Sequence, residues 1–307
     1  MGDTNPESTT STTETTPPTE PYNRNLRPGD EGYDIEWDPN APCMYGSSDA
    51  KPNVLITGCS DGGIGSALAR AFWDRGCHVY ATARDLGKMQ AVSSIDNVCM
   101  LALDVTKPES IKAAAAVVER QAGDRGLDIL VNNAARNRFM PVLDEDLDAV
   151  RDTFEVNYVG PLAVTQAFAP LLIKAKGTSV YITSIAGYVT TPYMGSNCLG
   201  VYSGLKRALE MLAETLRLEL RPFGVDVMEI VTGAVRSNGQ TYFGDWALPD
   251  GSLYKDIEPV VKHRAQGGDG LPRRDTAEYA AAVVDKILSK RTGAGSGTGS
   301  WLTWSGA

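Results

Sequence analysis

Histidine is scarce in this chain, and cysteine is sparse and scattered. The 307 residues include two histidines, His78 and His263, which argues against multi-histidine metal chemistry. The five cysteines are odd in number and form no C-x-x-C pair, so they signal neither a disulfide framework nor a zinc site and favour a reducing compartment. We therefore expect no metal in the functional site.

The sequence also lacks a long apolar run and an excess of basic residues. No stretch of about 18 apolar residues is available to span a bilayer, and the N-terminus has no apolar signal-peptide core. Residues 1–50 contain ten acidic residues and two arginines, so the remainder carries only −1 of the formal charge of −9. A near-neutral body gives no support for nucleic-acid binding. These absences predict a cytoplasmic protein without an integral membrane segment.

Composition divides the chain into three parts. Residues 1–50 are rich in Thr, Pro and acidic residues, so we expect a disordered tail. Residues 51–291 alternate short apolar runs with helical runs, which is typical of βαβ units, and residues 292–307 predict a Gly/Ser-rich tail. The predicted fold is one α/β domain, a Rossmann-type doubly wound parallel sheet with helices on both faces. Strands are predicted at 54–56, 78–83, 98–103, 128–131, 180–183 and 225–231.

A glycine-rich turn, residues 57–65 (TGCSDGGIG), follows the first predicted strand and leads into a helical run. Glycines let the backbone approach a pyrophosphate, and a helix N-terminus offers free N–H groups, so the turn predicts a dinucleotide site. The same letters contain G-x-S-x-G, the nucleophile elbow of α/β-hydrolases, with Ser60 as nucleophile and His263 downstream. That alternative leaves Gly63 and Gly65 without a role.

Tyr202 and Lys206 lie near the start of an amphipathic helical run that continues to Leu220. Residues four apart share a helical face, so the ammonium can lie near the phenol and favour its anion. The pair therefore predicts an acid and a base. The hydrolase alternative gives this pair no function.

These motifs, taken in order, resemble the short-chain dehydrogenase/reductase family over residues 53–290. Within that family the chain is similar to the fungal NADPH-dependent 1-acyl-dihydroxyacetone-phosphate reductases. The resemblance implies a catalytic tetrad of Asn157, Ser184, Tyr202 and Lys206. It also implies cofactor contacts from Gly58, Ser60, Gly63, Ile64, Gly65, Asp104, Val105, Asn133, Ala134, Val235 and Ser237, in addition to Tyr202 and Lys206.

The implied chemistry is reduction of a ketone, or its reverse. Tyr202 would give the proton, and Ser184 would hydrogen bond the substrate oxygen as its charge develops. Lys206 would lower the pKa of the phenol through its nearby charge and, by the resemblance, hold the nicotinamide ribose. Asn157 is expected to position a water that links Lys206 to solvent.

Cofactor choice depends on the end of the second predicted strand. An acidic residue there binds the ribose hydroxyl of NAD, whereas an arginine accommodates the phosphate of NADP. The chain has Arg84 at this point, which predicts NADP(H). Asp85 leaves an alternative open, because it could pair with Arg84 or bind the ribose.

The chain departs from the family pattern in three places near the predicted site, one of which is the glycine-rich turn, one residue longer than the commonest family spacing. Five residues, 196–200, look like an insert between Ser184 and Tyr202, and Ala135 replaces a usual glycine. Residues 238–272 are rich in Gly, Pro and aromatic side chains and predict a lid over the substrate, or else a surface loop.

Two classes of function follow. The first is an oxidoreductase that transfers a hydride between NADP(H) and a small-molecule ketone or secondary alcohol. The second is a non-catalytic dinucleotide-binding or sensing protein on the same fold. The resemblance also allows a homo-oligomer, and peripheral association with lipid droplets or endoplasmic reticulum.

Overall fold

The sheet at the centre of the molecule is entirely parallel. The computed structural model describes residues 51–95, 98–189, 200–239, 244–268, 270–291 and 302–305. Its strands are β1 (Asn53–Thr57), β2 (His78–Ala83), β3 (Val98–Ala102), β4 (Ile129–Asn132), β5 (Thr178–Ser184), β6 (Asp226–Thr232) and β7 (Leu302–Ser305). They lie in the order β3-β2-β1-β4-β5-β6-β7. The order reverses between β1 and β4, where open α/β sheets bind ligands.

Helices connect these strands. They are α1 (Ile64–Asp74), α2 (Gln90–Ser93), α3 (Pro108–Ala122), α4 (Leu147–Phe154), α5 (Gly160–Ala175), α6 (Gly200–Leu220), α7 (Glu258–Ala265) and α8 (Thr276–Arg291). A π-helical segment, Glu155–Val159, joins α4 to α5.

Both faces of the sheet are covered because side chains along each strand alternate in direction. Val54 and Ile56 of β1 belong to the cluster that includes Phe72 of α1 and Val283 of α8. Leu55, between them, belongs to the opposite cluster under α3 and α5. A strand buried on both faces must be continuously apolar, which explains the short runs in the sequence.

The prediction of a doubly wound α/β sheet is confirmed, and the six predicted strands lie within two residues of the observed ones. The seventh strand, β7, was not predicted because its four residues lie in the Gly/Ser-rich stretch and are too few to show an alternating pattern. α7 forms inside the stretch predicted as an irregular lid. Its helical signal is weak, since Val261 and Ala265 are its only buried residues.

Some predictions concern residues outside the described ranges. The predicted tail at 1–50 lies wholly outside them, as do residues 190–199, which include most of the 196–200 insert. The three-part division of the chain therefore stays a prediction.

One helical stretch, residues 147–175, is long and apolar enough to cross a membrane by length and composition. Its apolar window is 44% buried within the protein, and core helices of soluble proteins pass the same test. This stretch is therefore weak evidence for a membrane span.

Candidate active site

The turn between β1 and α1 has a backbone that only glycine accepts at several positions. Gly58 and Gly62 have φ angles of +77° and +68°, in the left-handed region. A Cβ on Gly65 would lie 2.3 Å from the carbonyl oxygen of Gly58, and one on Gly58 would lie 2.9 Å from the Cα of Ala134. The turn is thus a close-fitting cradle of main chain at the N-terminus of α1, which fits the pyrophosphate of a dinucleotide.

Neighbouring residues fix this cradle through neutral hydrogen bonds. The Thr57 hydroxyl accepts from the backbone N–H groups of Asn133 and Ala134, both at 3.0 Å. The Asn133 amide donates to the carbonyl oxygens of Thr57 and Gly58, at 2.8 and 3.1 Å. Two of the predicted cofactor residues therefore brace the glycine turn from β4.

Within the turn, the Gly63 N–H donates to the carbonyl oxygen of Ser60 at 3.1 Å, and α1 begins at the next residue, Ile64. The structure places Ser60, Gly63, Ile64 and Gly65 at this helix N-terminus, and their contact with a cofactor stays a prediction. No hydrogen bond among the described residues joins Ser60 to His263, so the hydrolase alternative has no geometric support.

Two side chains that the sequence analysis missed hold the outside of the turn. The Asp61 carboxylate accepts from the N–H groups of Gln90 and Ala91, both at 2.8 Å. Asn238, beyond β6, donates its amide to the Asp61 carbonyl oxygen at 2.6 Å and its N–H to the Gly62 carbonyl oxygen at 3.2 Å. Asn238 has no sequence signal of its own, because its partners are backbone atoms 177 residues away.

Arg84 and Asp85 follow β2 and behave differently. Asp85 caps the next turn by accepting from the Gly87 N–H at 2.9 Å and lies 3.8 Å from the Lys88 ammonium. Arg84 is exposed and forms no ion pair with any described residue. Asp85 thus pairs with Lys88 rather than Arg84, which leaves the guanidinium accessible to a ligand.

Asp104 and Val105, two of the predicted cofactor residues, lie just beyond β3. The Asp104 carboxylate accepts from the N–H and hydroxyl of Thr106, at 2.9 and 2.8 Å. Val105 is buried, and a Cβ on Gly160 would lie 2.9 Å from its side chain. Asp104 therefore shapes its own turn while Val105 anchors it on α5.

Val235 and Ser237 follow β6. Val235 is buried and forms a parallel bridge with Arg274, and the Ser237 hydroxyl accepts from the Gly239 N–H at 3.4 Å. The backbone after β6 is therefore held in place next to the glycine turn, to which Asn238 connects it.

Ser184 is the last residue of β5, and its side chain meets Tyr202. The Ser184 hydroxyl accepts from the Ala186 N–H at 3.2 Å and lies near enough to the phenol of Tyr202 to lower its pKa. Burial raises the pKa of Tyr202 to about 12, although Ser184 opposes the rise. This differs from the expected lowering by Lys206, because desolvation penalises the phenolate more than the surrounding dipoles favour it.

Lys206 is buried one helical turn beyond Tyr202, with only 4% of its surface exposed. Its ammonium donates to the Ile182 carbonyl oxygen at 2.8 Å and lies 5.6 Å from the centroid of the Tyr202 ring. Burial lowers the pKa of Lys206 to about 8. The structure thus brings Ser184, Tyr202 and Lys206 together at the carboxyl end of β5.

Asn157 lies in the π-helical segment, a distortion that is frequent at functional sites. Its carbonyl accepts from the Arg136 N–H at 2.7 Å, and its amide donates to the Arg136 carbonyl oxygen at 2.8 Å. Among the described residues, no hydrogen bond joins its side chain to Ser184, Tyr202 or Lys206. Asn157 therefore fastens the loop after β4, and its water-holding role stays a prediction.

An apolar cluster covers Tyr202. Trp246 and Leu248 are buried with Phe139, and Tyr202 packs against them. The Trp246 indole donates to the Phe139 carbonyl oxygen at 2.5 Å, which ties residues beyond β6 to the loop after β4. Within the described ranges, no three His, Cys, Asp or Glu side chains could hold a metal ion.

A parallel sheet in this order, with a glycine cradle after β1, defines the dinucleotide-binding class of α/β proteins. Residues 52–247 match the sequence profile described as short chain dehydrogenase. The chain belongs to the short-chain dehydrogenase/reductase family of oxidoreductases, which use a nicotinamide dinucleotide. The predicted family is confirmed.

Curated relatives are similar over most of the chain. The short-chain dehydrogenase ptmH of Penicillium ochrochloron is 46% identical over 240 residues, 78% of this chain and 86% of its own. The NADPH-dependent 1-acyldihydroxyacetone phosphate reductase of Schizosaccharomyces pombe is 37% identical over 217 residues, 69% of this chain and 71% of its own. A solved short chain dehydrogenase from Burkholderia cenocepacia in complex with NADP is 25% identical, covers 84% of this chain and 89% of its own, and has a TM-score of 0.62.

Proposed function

We propose that the protein transfers a hydride between NADP(H) and a carbonyl or secondary alcohol substrate, with Tyr202 as the proton donor during reduction. The observation that carries this proposal is the meeting of Ser184, Tyr202 and Lys206 at the carboxyl end of β5. Ligands of open α/β sheets bind outside the carboxyl ends of the strands.

The proposed chemistry needs a proton donor beside the carbonyl. The bound nicotinamide supplies the hydride. Tyr202 is protonated at neutral pH because burial raises its pKa to about 12, so it is in the form that donates. Ser184, which lies beside the phenol, would hydrogen bond the same substrate oxygen and stabilise its developing charge.

Lys206, one helical turn beyond Tyr202, supports the same step through its charge. Its pKa of about 8 leaves the ammonium mostly charged at pH 7, at a distance where the charge stabilises a forming phenolate. Its backbone partner, the Ile182 carbonyl oxygen, aims it along the face of α6 that carries Tyr202. We also propose that it holds the nicotinamide ribose.

The preference for NADP(H) is supported by Arg84, whose guanidinium can pair bidentately with a phosphate. Its exposure and the engagement of Asp85 with Gly87 and Lys88 leave it available. A relative named as an NADPH-dependent reductase and a neighbour in complex with NADP point the same way.

The substrate is proposed to be a small-molecule ketone or alcohol with an apolar portion beside the reacting carbon. The apolar cluster of Phe139, Trp246 and Leu248 against Tyr202 supports this and the lid hypothesis. A cytoplasmic location and a homo-oligomeric state remain proposals from the sequence.

The test is replacement of Tyr202 by Phe, with NADPH consumption followed on a panel of ketones. Loss of the proton donor should lower kcat by about 10²–10⁴-fold. NADPH affinity, measured by calorimetry, should change little, because the ring is kept. Tyr80→Phe is the matched control, since Tyr80 is buried in β2 away from the site and the same hydroxyl is removed.

Two outcomes would count against the proposal. If Tyr202→Phe retains the wild-type kcat, another group donates the proton. If the wild type binds NADPH yet reduces none of the ketones, the non-catalytic dinucleotide-binding alternative is favoured.

A further inference from the structure

Glu229 is a carboxylic acid buried in the middle of an apolar strand. It lies in β6 between Met228 and Ile230, and only 3% of its surface is exposed. Removing a carboxyl group from water is costly unless hydrogen bonds compensate it. The partners of Glu229 are therefore informative about why this strand keeps a glutamate.

Its hydrogen bonds reach both sides of Ser184. The Thr183 hydroxyl lies 2.6 Å from the Glu229 Oε1 atom, and Thr183 directly precedes Ser184. The phenol of Tyr188, just beyond the 3-10 turn that follows Ser184, donates to the same oxygen at 3.3 Å. One carboxyl group thus binds the residues that flank Ser184.

The same group of side chains reaches the helix that carries Tyr202. The Tyr188 phenol also lies near the carboxylate of Glu210, which raises its pKa and is buried one turn beyond Lys206. Arg207 pairs with Glu210 at 2.5 Å, and its guanidinium lies 5.1 Å from the centroid of the Tyr188 ring. A Cβ on Gly187 would lie 3.1 Å from the Arg207 backbone nitrogen, so the turn packs directly on α6.

The hydrogen bonds around Glu229 have fewer protons than acceptors. Tyr188 has one hydroxyl hydrogen for two carboxyl groups, and Thr183 has one for Glu229 and for the Ile230 carbonyl oxygen at 3.3 Å. Arg207 neutralises Glu210. An additional proton on Glu229 would complete these hydrogen bonds without placing a second charge beside Glu210.

The charged and titratable groups around Glu229 agree with this. α6 presents Glu210, Glu214 and Arg207, with Glu214 paired to Arg217 at 2.9 Å. The neighbouring strand presents Tyr181, whose phenol is engaged by Thr165 at 2.7 Å. Burial first, and then the Glu210 and Glu214 carboxylates, raise the pKa of Glu229, while the Thr183 bond opposes the rise.

We propose that Glu229 is a positioning residue that, through Thr183 and Tyr188, holds Ser184 in place against α6 and Tyr202. The proposal rests on the function proposed above. Protonated Glu229 completes these hydrogen bonds, whereas its ionisation would set two carboxylates against each other around Tyr188 and loosen the turn. No atom of Glu229 needs to touch substrate or cofactor.

The test compares Glu229→Gln and Glu229→Ala with the matched controls Glu219→Gln and Glu219→Ala, which change an exposed glutamate on α6. Glu229→Ala should lower kcat by roughly 10–100-fold, because a misplacement near 1 Å has this order of effect. NADPH affinity should stay within about twofold, which separates positioning from general unfolding. Glu229→Gln imitates the neutral acid and should keep kcat within about threefold.

The pH dependence gives the sharper readout. In the wild type, kcat should fall as pH rises through the raised pKa of Glu229, and Glu229→Gln should lack that decline. Coincident profiles of wild type and Glu229→Gln, or a wild-type kcat in Glu229→Ala, would overturn the proposal. If Glu229→Ala does not fold, the Glu229→Gln profile still decides.

Hydrogen exchange keeps the test independent of turnover. Residues 183–189 and 200–210 should exchange faster in Glu229→Ala than in Glu229→Gln at neutral pH. A wild type that reduces no ketone would defeat the proposed function alone, whereas unchanged exchange in both segments would defeat the positioning role alone.

Discussion

The part of the site around β1 and β4 differs in chemistry from the part around β5 and β6. Around β1 and β4, the site is made of backbone braced from β1 and β4 by the neutral side chains Thr57 and Asn133, with the Asp61 carboxylate on the outside of the turn. Around β5 and β6, it is made of buried ionisable groups. Among the described strands and helices, the buried Lys and Glu residues are Lys206, Glu210 and Glu229, all on α6 or β6.

The difference follows from what each half has to do. A pyrophosphate is bound by backbone N–H groups that must approach it closely, so a side-chain atom added to the turn is expected to weaken binding. This mode of binding requires no charged side chain. Proton transfer needs groups whose protonation states are tuned by desolvation. We therefore expect substitutions that add volume to disrupt the part of the site around β1 and β4. In the part around β5 and β6, we expect the buried ionisable groups that provide reactivity to lower the stability of the fold.

The largest effect is expected from Gly65→Ala. Its Cβ would lie 2.3 Å from the Gly58 carbonyl oxygen and 2.6 Å from the Asn133 amide, so the turn must move. We expect NADPH affinity to fall by at least about 100-fold and stability by about 1–3 kcal/mol.

Calorimetric titration and thermal unfolding measure these two effects. Gly204→Ala is the control, because nothing lies within 4 Å of its Cβ and α6 should gain about 0.5–1 kcal/mol. If Gly65→Ala and Gly204→Ala had equal effects on NADPH affinity and stability, the expected difference between the two halves of the site would be wrong.

A smaller and more selective effect is expected from Arg84→Ala. If the guanidinium binds the ribose phosphate, NADPH should bind roughly 10–100-fold more weakly, while NADH affinity should change by no more than about twofold. Arg70→Ala removes another exposed charge, from α1, and should affect neither cofactor. Parallel losses for NADPH and NADH would show that Arg84 does not select the cofactor.

The smallest expected effect is an increase in stability, whereas Gly65→Ala is expected to lower stability. The pKa of Lys206 is lowered in the folded state to about 8, so folding at pH 7 must keep a proton on a buried amine. The unfolded chain holds that proton up to about pH 10.5, so stability rises with pH between these values. Lys206→Met should abolish activity yet raise the free energy of unfolding at pH 7 by about 1–2 kcal/mol, after the lost bond to Ile182 is subtracted.

Urea unfolding at pH values near 7 and near 10 measures this effect, because the gain should shrink towards the higher pH. Lys112→Met, on the exposed side of α3, should show no comparable gain. A destabilised Lys206→Met protein at pH 7 would mean that the ammonium is better solvated than its burial implies.

Features that depend on local sequence patterns could be predicted from the sequence, whereas features that depend on distant residues could not. Strands buried on both faces and a glycine turn are local patterns, so the doubly wound sheet and the members of the cradle were predictable. Tyr202 and Lys206 were predictable as a pair because helical spacing is local. The direction of the Tyr202 pKa shift was not, because it depends on residues such as Trp246 that pack over it from another part of the chain.

Other features escaped because their partners are distant in sequence. Glu229 interrupts an apolar strand, which signals a satisfied buried acid, but its partners Thr183 and Tyr188 lie more than 40 residues away. The π-helical segment around Asn157 has no compositional signal. Asn238 reaches the glycine turn only after the whole sheet has formed.

The pairing of α1 with α8 has a consequence for biosynthesis. The Arg75 guanidinium contacts Asp285 at 2.6 Å across 210 residues, and the two helices share one hydrophobic cluster. At elongation rates of roughly 5–20 residues per second, α1 waits roughly 10–40 seconds for its partner to be made. During that interval the apolar side chains around Phe72 lack the cover that α8 provides, and exposed apolar surface of this kind makes a nascent chain prone to aggregation.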